Sequence, residues 1–346
     1  MKKDLKRREF LSYACKGAVA GLTLPFISSC FPHAGDSWLE CKLNESSKEI
    51  NDSPAKVIEV YDPTTFSEVD AKVDSSKAAV MLQRSILELT GKGTLSEAWA
   101  LIFPEYVTGQ KIGIKVNTLN SRVSTRPELV KALVDSLLND FFIPPENILV
   151  WDRRTDELEA AGFTETFLAV PCYGTVKSTA DESGPGFQEI PCCLGDGMTY
   201  LSKIPAENLD YQINFAVLKN HSQSGITASM KNNYGCIKNP EAFHTDFEND
   251  IPILNKMDFI KNKTRLLLVD SILAVCTGDT SSPADCAPCK LLASFDPVAI
   301  DSRSKSLIDE ERIKKGSTAN PEMAWIAKAS ELGLGSANVD LVQINI

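Results

Sequence analysis

The densest group of side chains that could do chemistry lies between residues 221 and 233. Nine of these thirteen positions are polar, namely His221, Ser222, Gln223, Ser224, Thr227, Ser229, Lys231, Asn232 and Asn233. Hydroxyls, amides, a lysine and backbone N–H groups suit a carboxylate or phosphate group. We expect a small anionic ligand here, with His221 as an acid or base and Lys231 as an electrostatic stabiliser. The alternative is a hydrogen-bonded loop with a structural role.

Charged and amide side chains also end other apolar runs. The positions at or just after these runs are Lys115, Asn117, Asp152, Arg153, Lys219 and Asp270. In an open α/β sheet, ligands bind outside the carboxyl ends of the strands, and right-handed crossovers bring those ends to one edge. We therefore expect one cleft that contains Lys115, Asn117, Asp152, Lys219, His221, Lys231 and Asn232.

Roles within this cleft follow from charge. Asp152 would orient or balance Lys115 or His221 and leave net positive surroundings for an anion. Asp152, His221 and Lys231 are thus the candidate catalytic residues. The candidate ligand-binding residues are Lys115, Asn117, Lys219, Ser222, Thr227, Asn232 and Asn233. Each has an ordinary alternative, since aspartates also cap helices and lysines lie on surfaces, and His244 is either a ligand or an exposed residue.

The ten cysteines permit three chemistries. Cys15 leaves with the predicted leader and Cys30 is the predicted lipidation site, which leaves eight others. An even number in an oxidising compartment favours disulfides. Alternatively, Cys276, Cys286 and Cys289 hold a metal ion or an iron–sulfur cluster, or the thiols are free. We expect Cys286 to be oxidised or metal-bound, because its spacing to Cys289 permits a short-loop disulfide or a shared ligand pair.

The first thirty residues are typical of an export signal. Arg7 and Arg8 precede a polar residue, Phe and Leu, as in twin-arginine signals, and Ile27-Ser28-Ser29-Cys30 resembles a bacterial lipobox. We predict a signal over 1–30, a flexible tether over 31–55 and a domain over 56–346. The partners would be the twin-arginine translocase and the membrane, through a lipid on Cys30, on the periplasmic side. A basic amphipathic helix, or ordinary signal cleavage with Cys30 incidental, is the alternative.

Apolar runs bounded by turns alternate with helical patterns over the predicted domain. They predict strands over 57–61, 111–116, 147–151, 213–218, 266–269 and 339–344, and helices over 77–89, 96–103, 127–138, 297–308 and 321–332. Residues 171–205 are rich in turn formers and are expected outside the sheet. The alternation predicts an α/β fold, with a mostly parallel sheet flanked by helices in a single large domain.

The composition excludes some classes of function. The chain has 36 Lys and Arg against 46 Asp and Glu, a net charge of −10, which argues against a nucleic-acid partner that needs a basic surface. No apolar run reaches the ~18 residues that span a bilayer, so a multi-pass membrane protein is excluded. The sequence has no glycine-rich phosphate loop, Gly-x-Ser-x-Gly motif or His-Glu-x-x-His motif.

Several segments together are similar to one known family. They are Lys115 to Asn117, Val150 to Arg153, Leu218 to Ser222, Met230 to Gly235 and Asp296 to Asp301. In this order and spacing they resemble the bacterial domain-of-unknown-function 362 family, including its twin-arginine-exported branch. The resemblance implies an α/β fold from about residue 56 onward. It implies no activity, because none is agreed for the family.

The sequence therefore predicts an exported, lipid-anchored α/β protein that binds or transforms a small anionic ligand, with or without the help of a metal ion. One alternative is a non-catalytic ligand-binding or accessory lipoprotein. Another is a redox or iron–sulfur protein that uses Cys276, Cys286 and Cys289. These residues leave open whether the protein is an enzyme.

Overall fold

The computed structural model describes residues 53–69 and 72–346. The predicted signal, with Arg7, Arg8 and Cys30, and residues 31–52 of the predicted tether lie outside this part of the chain. Within it, no helix combines the length and the apolar character needed to cross a lipid bilayer. The first strand begins at Ala55, at the predicted boundary between tether and domain.

A central sheet of eight strands organises the domain. The strands of the described residues are β1 (Ala55–Tyr61), β2 (Phe66–Ser67), β3 (Lys72–Val73), β4 (Ile112–Lys115), β5 (Ile148–Trp151), β6 (Cys192–Leu194), β7 (Gly197–Thr199), β8 (Tyr211–His221), β9 (Gly225–Thr227), β10 (Thr264–Val275), β11 (Lys290–Ser294) and β12 (Val339–Asn345). The order in the sheet is β12-β1-β11-β10-β8-β4-β5, and β9 pairs with the last residues of β8. The strands β2 with β3, and β6 with β7, form separate antiparallel pairs.

Most neighbours in the central sheet are parallel. Parallel pairs join β1 to β12, β10 to β8, β8 to β4 and β4 to β5. The exceptions are β11, which is antiparallel to β1 and β10, and β9, which is antiparallel to β8. The predicted α/β fold with a mostly parallel sheet is confirmed.

Helices cover both faces of the sheet. They are α1 (Ser75–Thr90), α2 (Leu95–Ile102), α3 (Pro127–Asn139), α4 (Thr155–Ala160), α5 (Glu165–Leu168), α6 (Ser229–Asn232), α7 (Phe247–Lys256), α8 (Asp258–Lys261), α9 (Pro297–Lys314) and α10 (Ala324–Glu331). Local chemistry sets their ends: the Asp74 and Asp296 carboxylates accept from backbone N–H groups in the first turns of α1 and α9. Gly91, at φ 65°, ends α1 in the left-handed region that favours glycine.

The sheet separates two apolar cores. Because side chains alternate along a strand, Ile213 and Phe215 of β8 pack on the side of α1, α2 and α3. Ala216 and Leu218 pack on the other side, with α7, α9 and α10. The domain thus has three layers, and both faces of β8 are buried.

Two strands of the central sheet extend beyond their predicted bounds. Six strands of the described residues were not predicted, and two of these, β9 and β11, belong to the central sheet. β8 continues through Lys219 to His221, and β10 continues beyond Asp270 to Val275. The predicted strands end where polar residues interrupt an apolar run. In the structure the strands continue, because distant side chains provide buried partners for these polar residues. β11 was not predicted because its five residues are too few to show a clear strand pattern in the sequence. The hairpin of β6 and β7 lies within residues 171–205 and outside the central sheet, as predicted.

Candidate functional site

A buried ion pair joins the carboxyl ends of β4 and β5. Lys115 Nζ lies 2.6 Å from Asp152 Oδ1 and donates to the Val116 carbonyl at 2.8 Å. The other Asp152 oxygen accepts from the Thr118 N–H and hydroxyl at 2.7 and 2.8 Å. Burial raises the pKa of Asp152, but the Lys115 charge and these hydrogen bonds outweigh it, so the pKa lies below its usual value. Asp152 is therefore ionised at neutral pH.

Three asparagines extend this pair across the sheet edge. Asn117 Nδ2 donates to Asn232 Oδ1 at 3.1 Å, and Asn232 Nδ2 donates to Asn214 Oδ1 at 2.7 Å. Asn232 Oδ1 also lies 3.4 Å from Lys115 Nζ. Each amide donates through its nitrogen and accepts through its oxygen, so this series of hydrogen bonds fixes α6 against β4 and β8. We call Lys115, Asn117, Asp152, Asn214, Lys219 and Asn232 the buried network.

Lys219 is the second cation of the buried network. Its Nζ donates to Asn117 Oδ1 at 2.7 Å, and its side chain is fully buried. Burial lowers the pKa of Lys219 to about 7, although the Asp152 charge opposes this. A large fraction of Lys219 is thus neutral near pH 7.

The backbone around the buried network is tightly constrained. A Cβ at Gly235 would lie 2.8 Å from Lys115 Nζ and 2.9 Å from Asp152 Oδ1, so only glycine fits there without a shift. The Asp301 carboxylate of α9 accepts from the Ser229 and Met230 N–H groups at 2.7 and 2.9 Å. It thereby fixes the start of α6, which carries Lys231 and Asn232.

Lys231 points into an aromatic pocket. Its Nζ lies 3.0 Å from His244 Nε2, 3.5 Å from the centre of the Tyr234 ring and 4.7 Å from that of Phe247. Burial lowers the pKa of Lys231 to about 7. Burial, followed by the Lys231 charge, also lowers the pKa of His244 to about 4. The two groups thus share a hydrogen bond beside the Tyr234 and Phe247 rings.

The hydrogen bonds of His221 determine its tautomer. Its Nδ1 accepts from the Gln223 and Ser224 N–H groups, both at 3.2 Å. Burial, with the Lys231 charge next, lowers the pKa of His221 to about 4. The ring is neutral at pH 7, and its proton lies on Nε2, which no described residue bonds. His221 is therefore a hydrogen-bond donor, and the acid or base role predicted from the sequence is not what this geometry favours.

A cavity of about 620 Å³ opens beside His221. It is lined by residues 220–225, 277–279 and 320–325 together with Phe247, Glu248 and Arg312. Met323, Trp325 and Phe247 supply an apolar wall, and the Trp325 indole N–H donates to the Ser224 carbonyl at 2.9 Å. The cavity therefore combines apolar surface with a few polar groups, as small-molecule sites do.

Arg312 is the cation of this cavity. Its Nε donates to the Thr318 carbonyl at 2.7 Å, and its Nη1 to the Cys276 carbonyl at 3.0 Å. No described residue accepts from Nη2. The cavity also has three acids: Asp279 accepts from Ser222, whereas Glu248 and Glu322 are exposed. The half-buried guanidinium thus has a hydrogen-bond donor, Nη2, that the described residues leave free. The acids that line the same cavity are either exposed or bonded to another residue.

One comparison with known proteins shows the family. The family model described as Domain of unknown function (DUF362) matches residues 112–304, more than half of the chain. The chain belongs to the DUF362 family. The match includes the buried network and His221, whereas Arg312 lies beyond its end.

Other comparisons add little to the DUF362 assignment. No curated protein matches the chain. A crystal structure of a protein from Thermotoga maritima is similar at 12% identity and a TM-score of 0.35, over 62% of this chain and 54% of that one. The chain thus spans about half the length of that protein. The family description names no activity.

In the DUF362 domain, the residues predicted to share one cleft lie in two separate places. Lys115, Asn117, Asp152, Lys219 and Asn232 meet in the buried network, but they do not line the cavity. His221 and Ser222 line the cavity, and Lys231 contacts His244 behind it. The single shared cleft is corrected to a buried network and a separate cavity, because distant side chains saturate the strand-end charges.

Two other predicted ligand-binding residues lie apart from the cavity lining. Thr227 of β9 is opposite Lys219 of β8. Asn233 donates to Asn255 Oδ1 at 2.7 Å on the side of α7. Both are buried, and their contacts order the segment around α6.

Sequence reasoning missed Arg312, Asn320 and Trp325 of this DUF362 chain. They lie in or beside the C-terminal helices, and no motif there marks them. Asn214 did leave a signal, since it is the one polar residue within the predicted strand 213–218. A buried amide in a central strand needs polar partners, and Asn232 and Ser229 supply them.

The cysteines are only partly as predicted. Cys276 and Cys286 form a disulfide, so the expected oxidation of Cys286 is confirmed. Its pairing with Cys289 is wrong: the Cys289 N–H bonds the Ile272 carbonyl, its carbonyl bonds the Asp62 N–H, and its thiol is free and buried. Asp285 replaces Cys289 beside the two sulfurs, with all donor atoms within 4.8 Å of one another. The predicted ligand set is corrected accordingly.

Proposed function

We propose that this protein is exported, lipid-anchored and binds a small molecule whose anionic group lies between Arg312 and His221. One observation carries the ligand assignment. Two residues that line the cavity, Arg312 and His221, each have a nitrogen, Nη2 and Nε2 respectively, that bonds no described residue. A charge-assisted bond from Arg312 and a neutral bond from His221 suit a carboxylate or phosphate oxygen.

The rest of the cavity defines the body of the ligand. Its volume of about 620 Å³ lies within the range of about 300–1,000 Å³ for small-molecule pockets. Trp325, Met323 and Phe247 favour an apolar portion. The exposed Glu248 and Glu322 disfavour a second anionic group at the mouth. The ligand class is therefore a small mono-anionic molecule with an apolar or cationic body.

The site favours binding over catalysis. His221 Nε2–H can polarise a ligand oxygen, but its low pKa and backbone-bonded Nδ1 do not suit a general base. Lys231 and the buried network lie behind the lining residues.

Export and anchoring rest on the N-terminal sequence. The residues Lys6 to Leu11 resemble a twin-arginine signal, and Ile27 to Cys30 resemble a lipobox. Residues 31–54, between the proposed lipid and β1, are long enough to separate the domain from a membrane surface.

A thermal-shift screen tests the ligand assignment. Small carboxylates and phosphate monoesters are each compared with the matching neutral amide or methyl ester. Ligand at 100 times its dissociation constant stabilises a protein by about 2.7 kcal/mol, enough to raise the unfolding midpoint measurably. We expect at least one anion to stabilise the protein and its neutral partner not to do so. Equal effects of the two members of every pair would count against the proposal.

A further inference from the structure

A second candidate site lies at the stem of the loop that the disulfide closes. The Sγ atoms of Cys276 and Cys286 and a carboxylate oxygen of Asp285 lie within 4.8 Å of one another. In the part of the chain that the structure describes, no other group of three His, Cys, Asp or Glu residues meets this spacing. Cys276 is buried, and the other two are half-buried.

The Asp285 carboxylate is held beside the sulfurs by donors from the loop. One oxygen accepts from the Cys276 N–H at 2.5 Å, and the other accepts from the Thr277 N–H at 2.9 Å and from the Thr277 hydroxyl. The loop therefore holds an oxygen ligand beside the two sulfurs.

We propose that Cys276, Asp285 and Cys286 bind a thiophilic divalent cation, such as Zn²⁺, when the disulfide is reduced. Two thiolates and one carboxylate form a three-ligand set that leaves a fourth position for water. Zn–S bonds of about 2.3 Å place two sulfurs ~3.8 Å apart in a tetrahedral site. The Cα atoms of the two cysteines are 6.1 Å apart. After reduction, rotation of the two side chains alone can therefore bring the sulfurs to the separation that zinc requires.

The disulfide and the metal exclude each other. A dithiol reductant delivers two electrons and two protons to the disulfide, becomes a disulfide itself and leaves two thiols. Zn²⁺ then displaces both thiol protons to solvent and forms two Zn–S bonds. Because the Cys276 carbonyl accepts from Arg312, either state is in contact with a wall of the cavity, but the metal site does not depend on the ligand proposed above.

Zinc titration of one protein in two redox states tests this. Protein reduced with dithiothreitol and desalted without oxygen is compared with oxidised protein, using a chromophoric chelator as competitor. We expect about one Zn²⁺ per reduced chain and at least tenfold weaker binding to the oxidised chain. Co²⁺ in place of Zn²⁺ should show thiolate charge-transfer absorption. Equal binding in both states, or reduced protein that loses its circular dichroism and does not recover it with Zn²⁺, would overturn the proposal.

Variants assign the ligands. Cys276→Ser and Cys286→Ser should each lose the tight site, and Asp285→Asn should weaken it about tenfold. Cys289→Ser is the matched control, because this buried thiol lies three residues from Cys286 but outside the ligand set. Loss of binding in Cys289→Ser, or retention in Cys276→Ser, would contradict the assignment.

Discussion

Lys115 Nζ and Asp152 Oδ1 lie 2.6 Å apart at the ends of two parallel strands, although 37 positions separate the residues in sequence. Both side chains are almost fully buried, and the second Asp152 oxygen holds the turn after Val116 through Thr118. Through Asn232, the same lysine contacts α6. This one pair thus joins β4, β5 and the segment that follows β9.

Breaking the pair should destabilise the domain strongly. Lys115→Met leaves Asp152 as a buried charge without its partner, which costs about 3–5 kcal/mol in the free energy of unfolding. Urea unfolding followed by circular dichroism measures this loss. Lys131→Met is the control, since Lys131 and Asp135 form a partly exposed pair worth ~0–1 kcal/mol. Similar losses in the two variants would mean that the buried pair contributes no more to the free energy of unfolding than the control pair does.

Gly235 should not tolerate a side chain. Gly235→Ala places a Cβ within 3 Å of Lys115 Nζ and Asp152 Oδ1, and we expect a loss of about 1–3 kcal/mol from overpacking. Gly93→Ala is the comparison, because its nearest atom is 3.8 Å away, at the end of the Glu97 side chain. Chemical denaturation of both variants measures the difference. An unchanged midpoint for Gly235→Ala would show that the network can shift at little cost.

His221 should remain neutral well below pH 6. Its folded pKa of about 4 lies below the ordinary value near 6.5, so the folded state binds fewer protons between these values. The stability that His221 contributes is complete above pH 6.5 and is lost as the pH falls towards 4. Nitrogen-15 NMR should show the proton on Nε2 and a titration near pH 4, and His221→Gln identifies the signal. A midpoint near 6.5, as in the urea-unfolded chain, would contradict the account.

Much of the fold follows from local sequence, because caps and apolar runs are local signals. Gly91 marks the end of α1 in the sequence, and Pro297 marks the start of α9. The division of polar residues between network and cavity did not follow. In the sequence, Lys219 is a lysine at the end of an apolar run. In the structure it is buried, and its partner Asn117 is too distant in sequence to be predicted from local pattern. Arg312 joins the cavity because α9 packs beside β10, a relation that no local pattern contains.

Localisation should depend on two N-terminal features. Arg7→Lys with Arg8→Lys should leave the folded precursor in the cytoplasm, because the translocase reads this pair. Cys30→Ala should be exported but move from the membrane fraction to the soluble fraction, because it cannot carry a lipid. Cell fractionation with immunoblotting measures both, and Cys15→Ala, in the same leader, is the control. Undiminished export of the first variant, or sedimentation of the second with membranes, would refute the corresponding assignment.

The central claim is that Arg312 binds the anionic group of a small ligand. The direct measurement is calorimetric titration of the anion that gives the largest thermal shift, with wild type, Arg312→Gln and the exposed control Arg84→Gln. A charge-assisted hydrogen bond contributes about 1.5–3 kcal/mol, so we predict roughly 10- to 100-fold weaker binding to Arg312→Gln and unchanged binding to Arg84→Gln. Equal affinity of wild type and a folded Arg312→Gln variant would contradict the account.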